Sequence, residues 1–197
     1  MITDSTHLVL LAHSTLRGAA APEIIGGDEA HYGDYEQGWN DGQNGGAGFK
    51  EWKLRSEAGA NQSFAGFFVA RLSQNPEIEK IAPEQKAFGL FANGASFESA
   101  VAFRALQKPL AVGEAFSAMI HSSEITPKFE SDDSAEGASG FALRTGDRNE
   151  KPDDFDEGAR FQFVFQEGKS AFTIIDSSGE TDTEIPLSRD GLSVTFT

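Results

Sequence analysis

The sequence predicts an all-β protein, an antiparallel β-sandwich with jelly-roll topology, on three observations. Short apolar segments with strand-like alternation recur along the chain, Gly-, Asn- and Asp-rich turns separate them, and helical patterns never exceed a few residues. A β-barrel is the alternative, but two long polar loops, residues 73–85 and 122–137, fit the rim of a sandwich better. At 197 residues, we expect one domain.

Residues 1–30 are predicted to lie outside that domain. The apolar run 8–12 is shorter than the core of an ordinary signal peptide, and Asp4 rather than a basic residue precedes it. Residues 1–5 resemble the start that cloning vectors often supply. We therefore interpret residues 1–30 as a degraded leader or a vector-derived segment, and residues 31–197 as the single sandwich domain.

The stretch from Gly38 to Trp52 organises the predicted domain. Both tryptophans of the protein, Trp39 and Trp52, lie in it, on either side of a loop dense in Gly and Asn. Gly adopts positive φ at little steric cost, and Asn and Asp tolerate it better than most residues. This composition predicts a fixed, tightly folded loop with an aromatic anchor at each end.

Strand-like segments follow the loop at regular spacing. In the clearest one, 160–166, we expect Phe161, Phe163 and Phe165 to face the core because they alternate with more polar positions. Asn93-Gly94 predicts a hairpin that joins 88–92 to 99–104. The last segment runs to the end of the chain without a turn, which predicts further strands after Thr197 or a partner for this edge. The segments are 52–55, 64–70, 88–92, 99–104, 115–121, 140–144, 160–166, 171–175 and 192–196.

Composition limits the function. The formal net charge is −15, from 31 acidic and 16 basic residues, so the surface repels nucleic-acid phosphates and anionic lipid. The chain has no cysteine, which excludes disulfides, thiolate metal sites and a Cys nucleophile. No apolar run approaches the roughly 20 residues of a membrane-spanning helix. We expect no nucleic-acid partner and no membrane insertion.

From Trp39 onward the chain resembles the concanavalin A-like (lectin- or laminin-G-like) jelly-roll modules of large secreted bacterial proteins. In those modules a Trp, an Asn/Gly-rich loop, Gly-Phe and a second Trp open the domain. The resemblance implies a lectin-like or surface-architecture module, secreted or at the cell surface and often attached to other domains; it carries no catalytic residues. Beyond the loop it rests, in order, on 66–68, 88–93, 110–117, 140–144, 172–174, 183–187 and 191–197.

The predicted function is a non-catalytic extracellular carbohydrate-binding or adhesion module, with carbohydrate or other surface protein domains as partners. The alternatives are a polysaccharide-cleaving jelly-roll enzyme, lyase or glycosidase, and a purely structural module of a surface assembly. Residues 55–57 and 120–121 match parts of alginate lyase motifs. Met119 stands at the Gln position of the second motif, however, and both tyrosines lie near the front of the chain. Enzymatic activity is therefore the less favoured hypothesis.

The predicted binding residues lie in the loop and just before it. Lectin-like sandwiches bind sugars with an aromatic plane and Asn or Asp side chains, and often hold Ca²⁺ through carboxylates and carbonyls. Two structural explanations compete: Asn and Asp serve turn geometry, and a Trp at a strand boundary is more often part of the core. The predicted sugar-binding residues are Trp39, Asn40, Asn44 and Trp52, and the predicted Ca²⁺ ligands are Asp28, Asp34 and Asp41.

Overall fold

A computed structural model describes residues 5–14, 23–59, 64–82, 84–93, 98–122, 137–145, 159–187 and 191–196, with the backbone alone for 5–14 and 23. It confirms the all-β class: the described strands form antiparallel sheets, and the described helices are two 3-10 turns, Gly33–Tyr35 and Pro76–Ile78. The strands are β1 (Ser5–Ser14), β2 (Glu23–Asp28), β3 (Lys53–Ala58), β4 (Phe64–Arg71), β5 (Lys86–Asn93), β6 (Glu98–Phe103), β7 (Glu114–Ser122), β8 (Ala138–Arg144), β9 (Ala159–Gln166), β10 (Ala171–Asp176), β11 (Gly179–Pro186) and β12 (Leu192–Phe196).

These strands form three sheets. The largest has the order β12-β7-β1-β5-β4, and β2 pairs with the second half of β1 as its sixth strand. The second sheet has the order β11-β10-β9-β8, and the third consists of β3 and β6. Of the two long polar loops predicted from the sequence, 73–85 contains the 3-10 turn Pro76–Ile78, and most of 122–137 lies outside the described residues. No helix within the described ranges has the length and apolar composition needed to cross a membrane.

Residues 1–30 contribute two strands to the largest sheet. β1 pairs with β7 from Thr6 to Ser14 and with β5 from Ser5 to Leu8, and β2 pairs with β1. A short apolar run such as 8–12 is typical of a sheet strand as well as of a leader, and the residue pattern alone does not separate the two. The sheet therefore extends across the boundary predicted at residue 30. The origin of this stretch as a leader stays a prediction.

The predicted hairpin between 88–92 and 99–104 is wrong. β5 pairs with β4, from Phe64 opposite Asn93 to Arg71 opposite Lys86, whereas β6 pairs with β3. Residues 94–97, which include the Gly of the Asn-Gly pair, lie outside the described residues. The Asn-Gly signal concerns a local turn, and it contains no information on the other strands that compete for each arm.

The main core lies where side chains of the two larger sheets meet. The ring of Phe116 on β7 lies 6.2 Å from that of Phe141 on β8, and the ring of Phe196 on β12 lies 4.2 Å from that of Phe161 on β9. Phe163 and Phe165 are buried, and Phe161 packs against the same cluster, which confirms the inward alternation predicted for this strand. Each fully buried Phe stabilises the fold by roughly 1.5–3 kcal/mol.

The β4–β5 pair has apolar side chains on both faces. Phe67 and Val69 pack against the main core. Ala70 and Ala87 belong to a second buried cluster, which the 3-10 turn at Pro76–Ile78 covers with Ile78. Phe68 packs against this second cluster, because neighbouring residues of a strand point to opposite faces. The pair is therefore a firmly held part of the sheet.

Candidate functional site

The Gly38–Trp52 loop is folded against the end of β2, as the sequence predicts. Gly27 and Ala47 exchange two backbone hydrogen bonds of 2.9 Å. Within the loop, the Gly42 N–H donates to the Trp52 carbonyl over 2.9 Å, and the Trp52 N–H donates to the Gln43 carbonyl over 2.8 Å. The loop is thus tied both to the sheet and across its own base.

Two glycines of the loop are required by close contact as well as by backbone angle. Gly46 has φ of 73°, and a Cβ there would lie 2.1 Å from the carbonyl oxygen of Gly27. Gly48 has φ of 79°, and its Cβ would lie 2.5 Å from the Cα of Gly26. L-residues with a side chain disfavour this region of φ, and no backbone atom can move aside cheaply.

A buried carboxylate lies beneath the loop. Asp28, at the end of β2, is 0% exposed, and its Oδ2 accepts hydrogen bonds from the Tyr35 hydroxyl (2.6 Å) and the Trp52 indole Nε1–H (2.8 Å). The Arg104 guanidinium forms an ion pair with the same oxygen. The Tyr35 hydroxyl in turn accepts a hydrogen bond of 2.9 Å from the Gly45 N–H.

Arg104, which follows β6, joins this carboxylate to the loop. Its Nη2 donates to Asn44 Oδ1 over 2.6 Å, and its Nε donates to the Lys50 carbonyl over 2.9 Å. The guanidinium carbon lies 4.8 Å from the ring centroids of both Phe49 and Trp52, within cation–π distance. We call Asp28, Tyr35, Asn44, Trp52 and Arg104 the Asp28–Arg104 cluster.

Burial has the largest effect on the pKa values of the acidic groups in this cluster. Loss of water raises the pKa of the Asp28 carboxyl above its ordinary value, although the Tyr35 hydrogen bond, the Arg104 charge and the Trp52 hydrogen bond each oppose the rise. Burial and the hydrogen bond to Asp28 also raise the pKa of Tyr35. Its hydroxyl therefore stays protonated and donates a hydrogen bond to Asp28. Asp28 Oδ2, Tyr35 and Arg104 bond to one another and hold the loop on the sheet, whereas Asp28 Oδ1 is buried without a hydrogen-bond partner among the described residues.

The predicted aromatic platform lies in the core. Trp39 is 3% exposed and Trp52 is 1% exposed, and their rings meet edge to face with centroids 4.9 Å apart. Both rings also contact Phe88 of β5. In this structure neither indole offers a face on which a sugar could stack, in line with the competing explanation that places the Trp residues in the core.

The other predicted sugar-binding residues are exposed but already bonded. The backbone N–H of Asn40 donates to Gln43 Oε1 over 2.6 Å. The Asn44 side-chain oxygen accepts from Arg104 and belongs to the cluster. The Asn44 side chain therefore serves the internal geometry of the loop, whereas Asn40 does so through its backbone and its side chain stays a predicted sugar-binding group.

The three predicted Ca²⁺ ligands do not converge. Asp28 is paired with Arg104, and Asp34 is exposed in the 3-10 turn Gly33–Tyr35. Asp41 Oδ1 accepts from the Leu54 N–H (2.8 Å) and Arg55 (3.1 Å), and the Leu54 hydrogen bond is the main reason that its pKa is lowered. In the part of the chain that the structure describes, no three His, Cys, Asp or Glu side chains are grouped as a metal site would need.

Sequence reasoning missed an exposed aromatic surface at the start of β4. Phe64 is 63% exposed and lies directly opposite Asn93 of β5. The buried Asn93 Oδ1 has no hydrogen-bond partner among the described residues. The Phe91 ring covers Gly66, since a Cβ there would lie 3.1 Å from it. We call Phe64, Phe91 and Asn93 the β4–β5 aromatic surface. Alternation along 64–70 could have revealed that Phe64 and Gly66 share a face.

Arg104 was missed as well, because nothing local distinguishes it from the other basic residues. Its partners Asp28 and Asn44 lie 76 and 60 residues away along the chain.

Comparison of the chain with protein-family models, with curated proteins and with solved structures found no match.

Proposed function

We propose that the protein is a non-catalytic carbohydrate-binding or adhesion module of a secreted or surface protein. In this proposal the six-stranded and four-stranded sheets form a jelly-roll sandwich, as the resemblance to concanavalin A-like modules implies. The observation that carries the binding function is the β4–β5 aromatic surface, where an exposed ring lies directly opposite an amide oxygen without a partner among the described residues.

This surface has the chemistry that a neutral sugar needs. The apolar face of a sugar ring stacks on an aromatic side chain, and its hydroxyls donate to amide oxygens. Phe64 supplies the exposed ring; the Asn93 amide lies at the directly opposite position of the neighbouring strand, and because its Oδ1 is buried it would have to turn outward to accept from a sugar hydroxyl. β5 is held by β1 on its other side, so the two groups sit on a preorganised support.

The buried charges support a binding module over an enzyme. The carboxyl and guanidinium groups of the Asp28–Arg104 cluster are bonded to each other and to the loop. A general acid or base must instead reach a substrate atom. The cluster is better explained as the anchor of the Trp-flanked loop.

A matched pair of variants tests the proposal. Phe64→Ala removes the exposed ring, and Val112→Ala truncates an exposed apolar side chain in the turn before β7. On a glycan array, followed by calorimetry on the best ligand, we expect Phe64→Ala to weaken binding about tenfold, or 1.4 kcal/mol, and Val112→Ala to leave it unchanged. Equal binding by both variants would reject the aromatic surface as the site.

A chelator arm addresses the Ca²⁺ predicted from the sequence. If Ca²⁺ is needed, the chelator will abolish glycan binding, and added Ca²⁺ will restore it. Unchanged binding would remove Ca²⁺ from the proposal.

A wild-type protein that binds no glycan and cleaves no acidic polysaccharide would favour a purely structural module. The hydrogen bonds and ion pair by which the Asp28–Arg104 cluster joins the loop to the sheet are the observation that favours this second candidate.

A further inference from the structure

The edge strands of the two larger sheets differ in how they are protected. An exposed strand edge can pair with another chain, and proteins discourage this with charges, Pro, irregular register or a covering element. β11 carries Glu180, Asp182 and Glu184 and ends at Pro186. β8 has a register shift between Leu143 and Arg144, and β4 lies against β3 and β6.

Within the described residues β12 lacks charge, Pro and irregular register, and the nearest covering residues, Lys80 and Ile81, lie beside its start at Leu192 and Ser193. Its sequence is Leu-Ser-Val-Thr-Phe, without charge or Pro, and it pairs with β7 in an unbroken register. In the part of the chain that the structure describes, β7 is its only strand partner. Its apolar side chains, on the side of the main core, stay partly exposed.

The residue pattern of β12 is complementary to itself. In an antiparallel pair centred on Val194, Leu192 of one copy faces Phe196 of the other, and Ser193 faces Thr195. Opposite residues of an antiparallel pair share a face of the sheet. Apolar side chains would therefore meet on the core side, and hydroxyl side chains would meet on the outer side, where Ser193 and Thr195 are exposed. A shift by one residue would oppose apolar and polar positions.

We propose that β12 is a homodimer interface: two copies of the chain pair through antiparallel β12 strands, with Val194 opposite Val194 on the two-fold axis. The pairing satisfies the N–H and C=O groups on the β12 edge that has no strand partner among the described residues, and it covers the partly exposed Leu192, Val194 and Phe196. The inference is independent of the proposed sugar-binding function, because β12 and β4 lie at opposite ends of the strand order.

Electrostatic repulsion opposes the dimer, so we expect dimerisation to depend on salt concentration. Each copy carries a formal net charge of −15, so two copies repel each other at low ionic strength. Because the paired strands are uncharged, salt screens the repulsion without weakening the contact. We expect the dimer fraction in sedimentation velocity to rise with protein concentration and with salt. A monomer at every concentration and salt level would contradict the proposal.

Cysteine cross-linking tests the register, because the chain has no cysteine of its own. Val194→Cys places two thiols opposite each other on the proposed axis, within the Cβ separation that a disulfide allows. Glu184→Cys on the exposed edge strand β11 is the control. Under mild oxidation we expect Val194→Cys to form a disulfide dimer about tenfold faster than Glu184→Cys, since geometry governs closure. Equal rates would reject the β12 register.

Two double variants that introduce charges at the same two positions of β12 test the pairing, and both should affect the fold to a similar extent. Ser193→Lys with Thr195→Lys would put Lys opposite Lys twice across the axis, whereas Ser193→Lys with Thr195→Glu would put Lys opposite Glu. Both double variants change the same exposed positions and remove the same Ser117–Thr195 hydroxyl contact of 2.8 Å. We expect the Lys/Lys variant to be monomeric and the Lys/Glu variant to dimerise. Identical oligomeric states would overturn the proposal.

Discussion

The Asp28–Arg104 cluster and the β10–β11 hairpin both contain ion pairs, but in opposite environments. Arg104 and Asp28 are 2% and 0% exposed, and two further hydrogen bonds share the same carboxylate oxygen. Beside the hairpin, Lys169 Nζ in the β9–β10 turn lies 3.0 Å from Asp182 Oδ1 and 3.2 Å from Glu180 Oε1 on β11, and all three side chains are open to water. The comparison teaches that burial, more than the number of ion pairs, decides what a charge contributes to stability.

The largest expected effect comes from breaking the buried pair. Arg104→Ala leaves the Asp28 carboxyl without its cation and removes the donors to Asn44 and Lys50, so the free energy of unfolding should fall by about 3–5 kcal/mol. Denaturant unfolding followed by tryptophan fluorescence would measure this. Arg55→Ala, which removes the exposed partner of Asp41, is the control and should cost less than about 1 kcal/mol. Equal losses would refute the comparison.

The next effect comes from the loop that the cluster holds. Gly46→Ala would push a methyl group against the Gly27 carbonyl, so we expect a loss of about 2–4 kcal/mol in the free energy of unfolding. Gly42→Ala is the matched control, because Gly42 also has positive φ but no atom within 4 Å of a Cβ. It should lose only about 1–2 kcal/mol, the conformational term alone. A Gly42→Ala loss as large as that of Gly46→Ala would show that the close contact with β2 is unimportant.

A smaller effect concerns pH. The pKa of Asp28 is raised in the folded protein. At a pH above the ordinary pKa of an Asp, the folded state therefore binds more protons than the unfolded state. The Asp28 contribution to the free energy of unfolding should therefore decline as pH rises from the ordinary value to the raised one. The pKa of Asp41 is lowered, so its contribution should be lost as pH falls through the folded value. We therefore expect Asp28→Asn and Asp41→Asn to change the slope of the free energy of unfolding against pH in opposite directions. Denaturant unfolding of both variants and the wild type across pH 3–7 would measure this slope. Changes of the same sign would contradict these assignments.

The smallest effect is expected on the exposed hairpin. Although hydrogen bonds to Asp182 and Glu180 raise the pKa of Lys169, water and salt screen these charges. Lys169→Ala should leave the unfolding midpoint unchanged within experimental error, at both low and high salt. A clear loss at either ionic strength would show that exposure does not separate the two regions.

The local features of the fold could be predicted from the sequence. Alternation in 160–166 correctly placed Phe163 and Phe165 in the core, and the Gly- and Asn-rich composition of 38–52 correctly predicted a pinned loop. The β9–β10 connection also follows from nearby turn residues, whereas the segments predicted as strands do not include β11. Each of these properties depends on residues close together in the chain, where backbone angles and period-two alternation act directly.

Sequence by itself determined the all-β class, the positions of most strands after residue 50 and the fixed loop. Only the tertiary structure decided that β5 pairs with β1 and β4, that Trp39 and Trp52 are buried, and that Arg104 reaches Asp28. The physical reason is the range of the interactions. A residue pattern shows which face of a strand is apolar, whereas the partner of each strand is chosen by competition among all strands of the folded chain.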